Sequence, residues 1–157
     1  MKQPFQFIIA ESENHIKDAI ELFKEYAASL NISLAFQHFD EELKTVHQMY
    51  GAPEGLLLLV YDLNIPIACA AFRKIEDDTC EVKRMYVKPT YRRHQIGDQL
   101  MNILISSAKS VGYKCMRLDT LDTMIPAIAL YKKHGFYERE AYYFNPNENT
   151  VYMEKAL

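Results

Sequence analysis

Between Lys83 and His94 the chain carries Lys83, Arg84, Lys88, Arg92 and Arg93 and one histidine, with no acid among them. Side chains of this kind bind anions, and their setting narrows which anion. Alternating apolar residues stop at Pro89 and a 3.6-residue apolar period opens at Ile96, so Cys80 to Leu100 reads as a strand, a sharp turn and the first turn of a helix. The first backbone N–H groups of a helix lack intrahelical partners and lie at the positive end of its dipole. Basic side chains beside such an end suit phosphate oxygens. The net charge of the whole chain is −3, so the positive charge is local and the anion is small. A nucleic-acid partner would ask for a basic surface instead.

The strand before the turn carries a second signal. Cys80 and Val82 share one side-chain parity, whereas Met85 and Val87 have the other, so a regular strand would turn one pair outward. One extra residue near Lys83–Arg84, a β-bulge, repairs this and leaves backbone N–H and C=O groups unpaired. Such groups beside an anion-binding turn can hold an extended, amide-containing ligand with a phosphate at one end. The plainer alternative is a slightly irregular strand followed by a basic surface loop.

The elements that must position this stretch follow from periodicity. Phe5 to Ala10 reads as a strand, and Ile16, Ile20, Phe23, Ala27 and Leu30 recur at helical spacing after Ser12 or Asn14 as cap. A short helix takes its apolar face from Phe39, Leu43 and Val46, with Asp40, Glu41 and Glu42 in its first turn. Leu56 to Tyr61 is a continuous apolar strand covered on both faces, turned by Asp62-Leu63-Asn64 into Ile67–Arg73, and Asp77-Asp78 turns into the bulged strand. Three strands on tight turns make an antiparallel meander, whereas the helix ending near Gly112 makes the next strand, Cys115 to Thr120, parallel to the bulged one. Asp122 or Thr123 caps a last helix that tolerates Pro126 in its first turn, and a Tyr-rich hairpin of 136–145 and 151–157 closes the chain.

At 157 residues the chain is expected to be a single domain, 1–157, able to bury a core without staples. Hydrophobic residues at 49% and charged residues at 25% are those of an ordinary globule. Cys69, Cys80 and Cys115 form no C-x-x-C and stand at no metal-ligand spacing, so they read as reduced core thiols and no metal is expected. The opening apolar run is too short for a signal peptide and no run reaches membrane-spanning length, so a cytoplasmic protein away from membranes is expected.

Val87-x-Pro89-x-Tyr91-Arg92-x-x-Gln95-x-Gly97 resembles the acetyl-coenzyme-A signature of the GNAT N-acetyltransferases, and Ala127-Ile128-Ala129-Leu130-Tyr131-Lys132-Lys133-His134-Gly135-Phe136 resembles the same family's later helix. Gln95 stands where the family usually has Gly, and Met124 where an Asn usually precedes the Ala-x-x-Leu-Tyr run. The resemblance implies an α/β fold (a mixed α+β sheet): a mostly antiparallel sheet of about seven strands with a splayed parallel pair and about four helices. It implies acetyl-CoA as cosubstrate, held by Met85, Tyr86 and Val87 on the bulged strand and by Arg92, Arg93, His94, Gln95, Ile96, Gly97 and Asp98. It also makes the first two helices a lid over the acceptor, with Phe36 and His38 as candidate contacts.

Acyl transfer from a thioester to an amine needs a neutral amine, a polarised carbonyl and a proton for the departing thiolate. Backbone N–H groups near Met85 to Val87 can polarise the carbonyl. Tyr131 shares a helix face with Ala127, Leu130 and His134 that points to the sheet, and by resemblance it is the general acid. Glu81 is the candidate base, with Asp119 or water alone as alternatives, and Asp119 equally explicable as a partner for Arg117 or Arg93. His94 and His134 fit local electrostatics better than proton transfer. The expected function is N-acetyl transfer to a primary amine, a small molecule or amino acid before a protein amine. The alternatives are a non-catalytic coenzyme-A-binding module and a phosphate-binding domain without acyl transfer. A homodimer is the assembly left open.

Overall fold

The computed structural model describes residues 5–30 and 38–157. Seven strands form one sheet: β1 (Gln6–Ile9), β2 (Leu56–Asp62), β3 (Ile65–Glu76), β4 (Thr79–Val87), β5 (Cys115–Leu121), β6 (Tyr137–Arg139) and β7 (Thr150–Ala156). Their order is β1-β2-β3-β4-β5-β7-β6, antiparallel throughout except for β4 against β5. The described helices are α1 (Glu13–Ser29), α2 (Phe39–Lys44), α3 (Val46–Tyr50), α4 (Ile96–Val111) and α5 (Ile125–Lys133). Among the described residues no helix is long and apolar enough to cross a membrane.

The apolar run of β2 splits by parity. Leu58 and Val60 pack with Ile96, Leu100, Leu104 and Ala108 of α4, and Leu57 and Leu59 pack with Ala19, Leu22 and Phe23 of α1. Both faces of the sheet are therefore covered, which is why this strand reads as continuous rather than alternating. Ser12 caps α1, its hydroxyl accepting from the His15 N–H at 3.1 Å. Gly112, at φ 110°, ends α4 in the left-handed region where glycine carries no Cβ penalty. Two local readings change. The single short helix over Phe39 to Val46 is two helices, because Thr45 (φ −129°, ψ 26°) breaks the run. Neither Asp122 nor Thr123 caps α5: Met124 occupies that position and makes no side-chain capping bond.

The extra residue expected in β4 is at Arg84. Cys69 pairs with Tyr86 but Ala71 with Lys83, so two residues of β4 oppose one of β3, and Arg84 sits at φ 58°. The bulge turns Lys83 and Arg84 to the same side, toward α1 and α2, while Val82, Met85 and Val87 face α4. There the Arg84 guanidinium donates to Glu42 of α2 from Nε at 2.8 Å and Nη2 at 2.7 Å, both side chains buried. Burial opposes the Arg84 charge, but the paired bonds to Glu42 outweigh it and its pKa is raised. Glu42→Ala would leave that cation buried without its main partner, so stability to denaturant should fall by about 3–5 kcal/mol.

At the other end of the sheet Glu154 of β7 accepts from Arg117 (2.7 Å) of β5 and from Arg139 (2.7 Å) and Tyr137 (2.9 Å) of β6. Burial alone would raise the carboxyl, but these donors lower it from 4.5 to about 2. Its folded pKa lies below its unfolded one, so the stability it contributes is full above about 4.5 and is lost as pH falls toward about 2. Glu154→Gln should be less stable than wild type at neutral pH in thermal unfolding, and the difference should close across that acid window.

Candidate active site

β4 and β5 pair only at Thr79↔Cys115, Cys80↔Met116 and Glu81↔Arg117. Beyond these residues the two strands part, since the bulge bends β4 away and takes its edge out of register. The wedge between them opens as a cleft of about 540 Å³, lined on one side by Met85, Tyr86 and Val87 and at its mouth by Arg92, Arg93, Gln95, Ile96, Gly97 and Asp98. His94 does not line it: the imidazole packs edge-on against Phe5, ring centres 5.6 Å apart.

The mouth is built by the turn after β4. A short 3-10 turn at Pro89–Tyr91 is followed by Arg93 at φ 74° and Gln95 at φ 62°, and α4 starts at Ile96. Left-handed backbone costs a side-chain-bearing residue roughly 1–2 kcal/mol, which explains why a glycine would suit position 95. Gln95 makes no side-chain capping bond, so it leaves the first amides of α4 for another acceptor. Arg92 is steadied by its Nε bond to the Val87 carbonyl at 3.1 Å, which keeps its charge at the cleft. A Cβ on Gly97 would stand 3.2 Å from Leu130 Cδ2, so this glycine lets α4 approach α5. Asp98 adds an acid among these cations, but Lys133 and His134 each reach it at 2.9 Å and hold its carboxyl below the usual range.

The cleft continues inward to a chamber of about 50 Å³, and Tyr26, Met85 and Met124 line both spaces. Lys83, Arg84, Asp119, Tyr131 and Asn145 line the chamber. Tyr131 is 6% exposed, its ring against Phe136. Burial raises its pKa, so it stays protonated at neutral pH. Asp119 accepts from the Tyr143 hydroxyl and from Asn145 Nδ2 at 3.1 Å.

Glu81 stands elsewhere. It is buried behind the chamber, one oxygen accepting from Arg73 Nε at 3.1 Å and the other from the Tyr142 hydroxyl at 2.5 Å, with Lys83 Nζ at 3.9 Å. Both of its oxygens thus accept hydrogen bonds from within the protein. Arg117 pairs with Glu76 and Glu154, so it does not partner Asp119. His38 is exposed beside Glu41, at 3.0 Å, and Phe36 lies outside the described residues. Sequence reading missed Pro126, Ala127 and Leu130 of α5 and Tyr26 and Ser29 of α1, which line the cleft. For α5 a signal existed, since these residues share the Tyr131 face of the helix.

The model of the acetyltransferase (GNAT) family matches residues 16–136. The chain belongs to the GNAT family. An uncharacterized N-acetyltransferase of Schizosaccharomyces pombe is 40% identical over 138 residues, covering 87% of this chain and 85% of its own. An acetyltransferase structure from Streptococcus agalactiae superposes with a TM-score of 0.82 at 19% identity, covering 99% of this chain and 100% of that one. The PaiA N-acetyltransferase of Thermoplasma acidophilum, solved in complex with coenzyme A, gives 0.75 at 18% identity, with 99% and 100% coverage. The protein is thus a GNAT N-acetyltransferase, of a family that uses acetyl-CoA, and its seven-stranded sheet with a splayed parallel pair is the GNAT fold.

In this GNAT enzyme Gly97→Val should force α5 away and crowd the approach to the α4 amides. Charge-assisted hydrogen bonds of about 1.5–3 kcal/mol each are at stake, so acetyl-CoA affinity measured by calorimetry should fall roughly tenfold or more. Arg92→Ala should weaken it less, and Gln95→Gly should leave it equal or tighter. Equal affinities for wild type, Gly97→Val and Arg92→Ala would remove the loop from the binding site.

Proposed function

We propose that residues 1–157 act as one acetyltransferase domain that transfers an acetyl group from acetyl-CoA to the primary amine of a small molecule or amino acid, by direct attack in a ternary complex. The observation that carries this reading is the continuity of the two spaces through Tyr26, Met85 and Met124. A ligand with its phosphates at the α4 end would extend its thiol arm along β4 and present its far end to the chamber. The residues present fit such a ligand: a basic, amide-rich mouth, an apolar wedge, and a buried phenol at the inner end. Acetyl-CoA supplies the activated acyl group.

The roles then follow from position. Backbone N–H groups beside the bulge, near Met85 to Val87, polarise the thioester carbonyl. The amine nitrogen forms the new C–N bond as the C–S bond breaks, and the amine proton passes to Asp119, directly or through water. Asp119 takes this role in place of Glu81 because its carboxylate lines the chamber, whereas both Glu81 oxygens are occupied by Arg73 and Tyr142. Tyr131 donates to the departing sulfur. Its pKa is raised above 10.0 while a thiol titrates near ~8.5, so full proton transfer from phenol to thiolate is uphill. The hydroxyl therefore stabilises the thiolate as a hydrogen-bond donor.

Tyr131→Phe removes only that oxygen. A hydrogen bond to a charged group contributes about 1.5–3 kcal/mol, so turnover should fall roughly 10- to 150-fold with acetyl-CoA affinity unchanged. Asp119→Asn should lower turnover in a way that eases as pH rises and more amine is already neutral. Wild-type turnover by Tyr131→Phe would reduce the phenol to a packing group, and a pH-independent loss in Asp119→Asn would return the proton to water.

A further inference from the structure

Resting on the reading of the chamber as the acceptor site, we propose that the acceptor carries a carboxylate beside its amine, as an amino acid does, and that Lys83 is the residue that selects for it. Lys83 is 6% exposed, and lysine is rarely buried so far in a sheet without a charge to meet. The bulge is what brings it there: without the extra residue, Lys83 and Arg84 would point to opposite faces. It lines the chamber on β4, and Asp119 lines it on β5.

The charges around the chamber can be counted. Arg84 is balanced by Glu42, and Arg117 by Glu76 and Glu154. Glu81 lies between two cations, 3.1 Å from Arg73 and 3.9 Å from Lys83, with Tyr142 on its other oxygen, so this trio keeps one net positive charge. Asp119 is met by neutral donors, Tyr143 and Asn145. Among the described residues the chamber walls thus set a cation, Lys83, on one strand against a carboxylate, Asp119, on the facing strand. That is the complement of a molecule with a carboxylate at one end and an amine at the other. A chamber of about 50 Å³ has room for roughly three or four water-sized groups, enough for the amine, its carbon and a carboxylate. Burial, the largest influence, leaves the Lys83 pKa lowered although Glu81 and Asp119 raise it; a substrate carboxylate beside it would favour the charged form.

The test is an acetylation screen in which each amino acid is paired with its amide and with the amine left by removing its carboxylate. For the best side chain, wild-type kcat/KM for the acid should exceed both partners by roughly tenfold to a hundredfold, the range of a charge-assisted hydrogen bond. Lys83→Met should lose that preference, mostly through KM for the acid, while acetyl-CoA affinity stays close to wild type; Lys83→Arg should keep part of it. The wild-type ratio stands by itself if a variant fails to fold. Equal wild-type rates on acid and amide, or a preference that survives in Lys83→Met, would overturn the proposal and leave amine acetylation intact. No turnover on any amine would overturn both.

Discussion

Everything in this fold that bears on chemistry depends on one added residue in β4. A strand that pairs in register along its whole length offers a ligand nothing, because each N–H and C=O is spent on a neighbour. The bulge at Arg84 ends that condition. It separates β4 from β5 after Glu81↔Arg117, and the wedge so formed becomes the cleft. It also puts two consecutive cations on the same face, one tied to the helix above and one in the chamber wall.

A non-glycine residue at φ 58° is strained, and the surrounding structure must over-determine it. Here the two bonds from Arg84 to Glu42 do this, with the guanidinium also over the Phe39 ring at 5.2 Å. The clamp joins α2 to the strand that carries the bulge. The geometry of the bulge therefore depends on one buried ion pair, which constrains geometry more than it adds net stability.

Charge placement in the closing segment follows the same logic. Tyr142, Tyr143 and Asn145 come from the loop between β6 and β7 and hold Glu81 and Asp119. Tyr142 and Tyr143 sort two carboxylates that have the same parity on neighbouring strands. One is drawn into a network with Arg73 behind the wall, and the other is held at the chamber surface. A segment that reads as a simple Tyr-rich hairpin thus holds one acid behind the chamber and the other in its lining.

The sequence alone determined what is local. Side-chain parity located the bulge within a residue, the switch of period at Ile96 located the phosphate-facing helix start, and the Ala127–Tyr131 spacing placed the phenol on the sheet side, because each depends only on neighbours a few positions apart. The motifs around Arg92 and Tyr131 made the family legible before any coordinates. Tertiary structure decided what depends on distant partners. Glu81 and Asp119 are equivalent carboxylates in the chain, and only the meeting of Arg73, Tyr142 and Tyr143 from other elements separates them. His94 sits in a basic loop, yet packing on Phe5 turns it from the cleft. The place of Lys83 in the chamber wall needed both: a bulge to turn it inward, and the parting of β4 from β5, which no stretch of sequence contains.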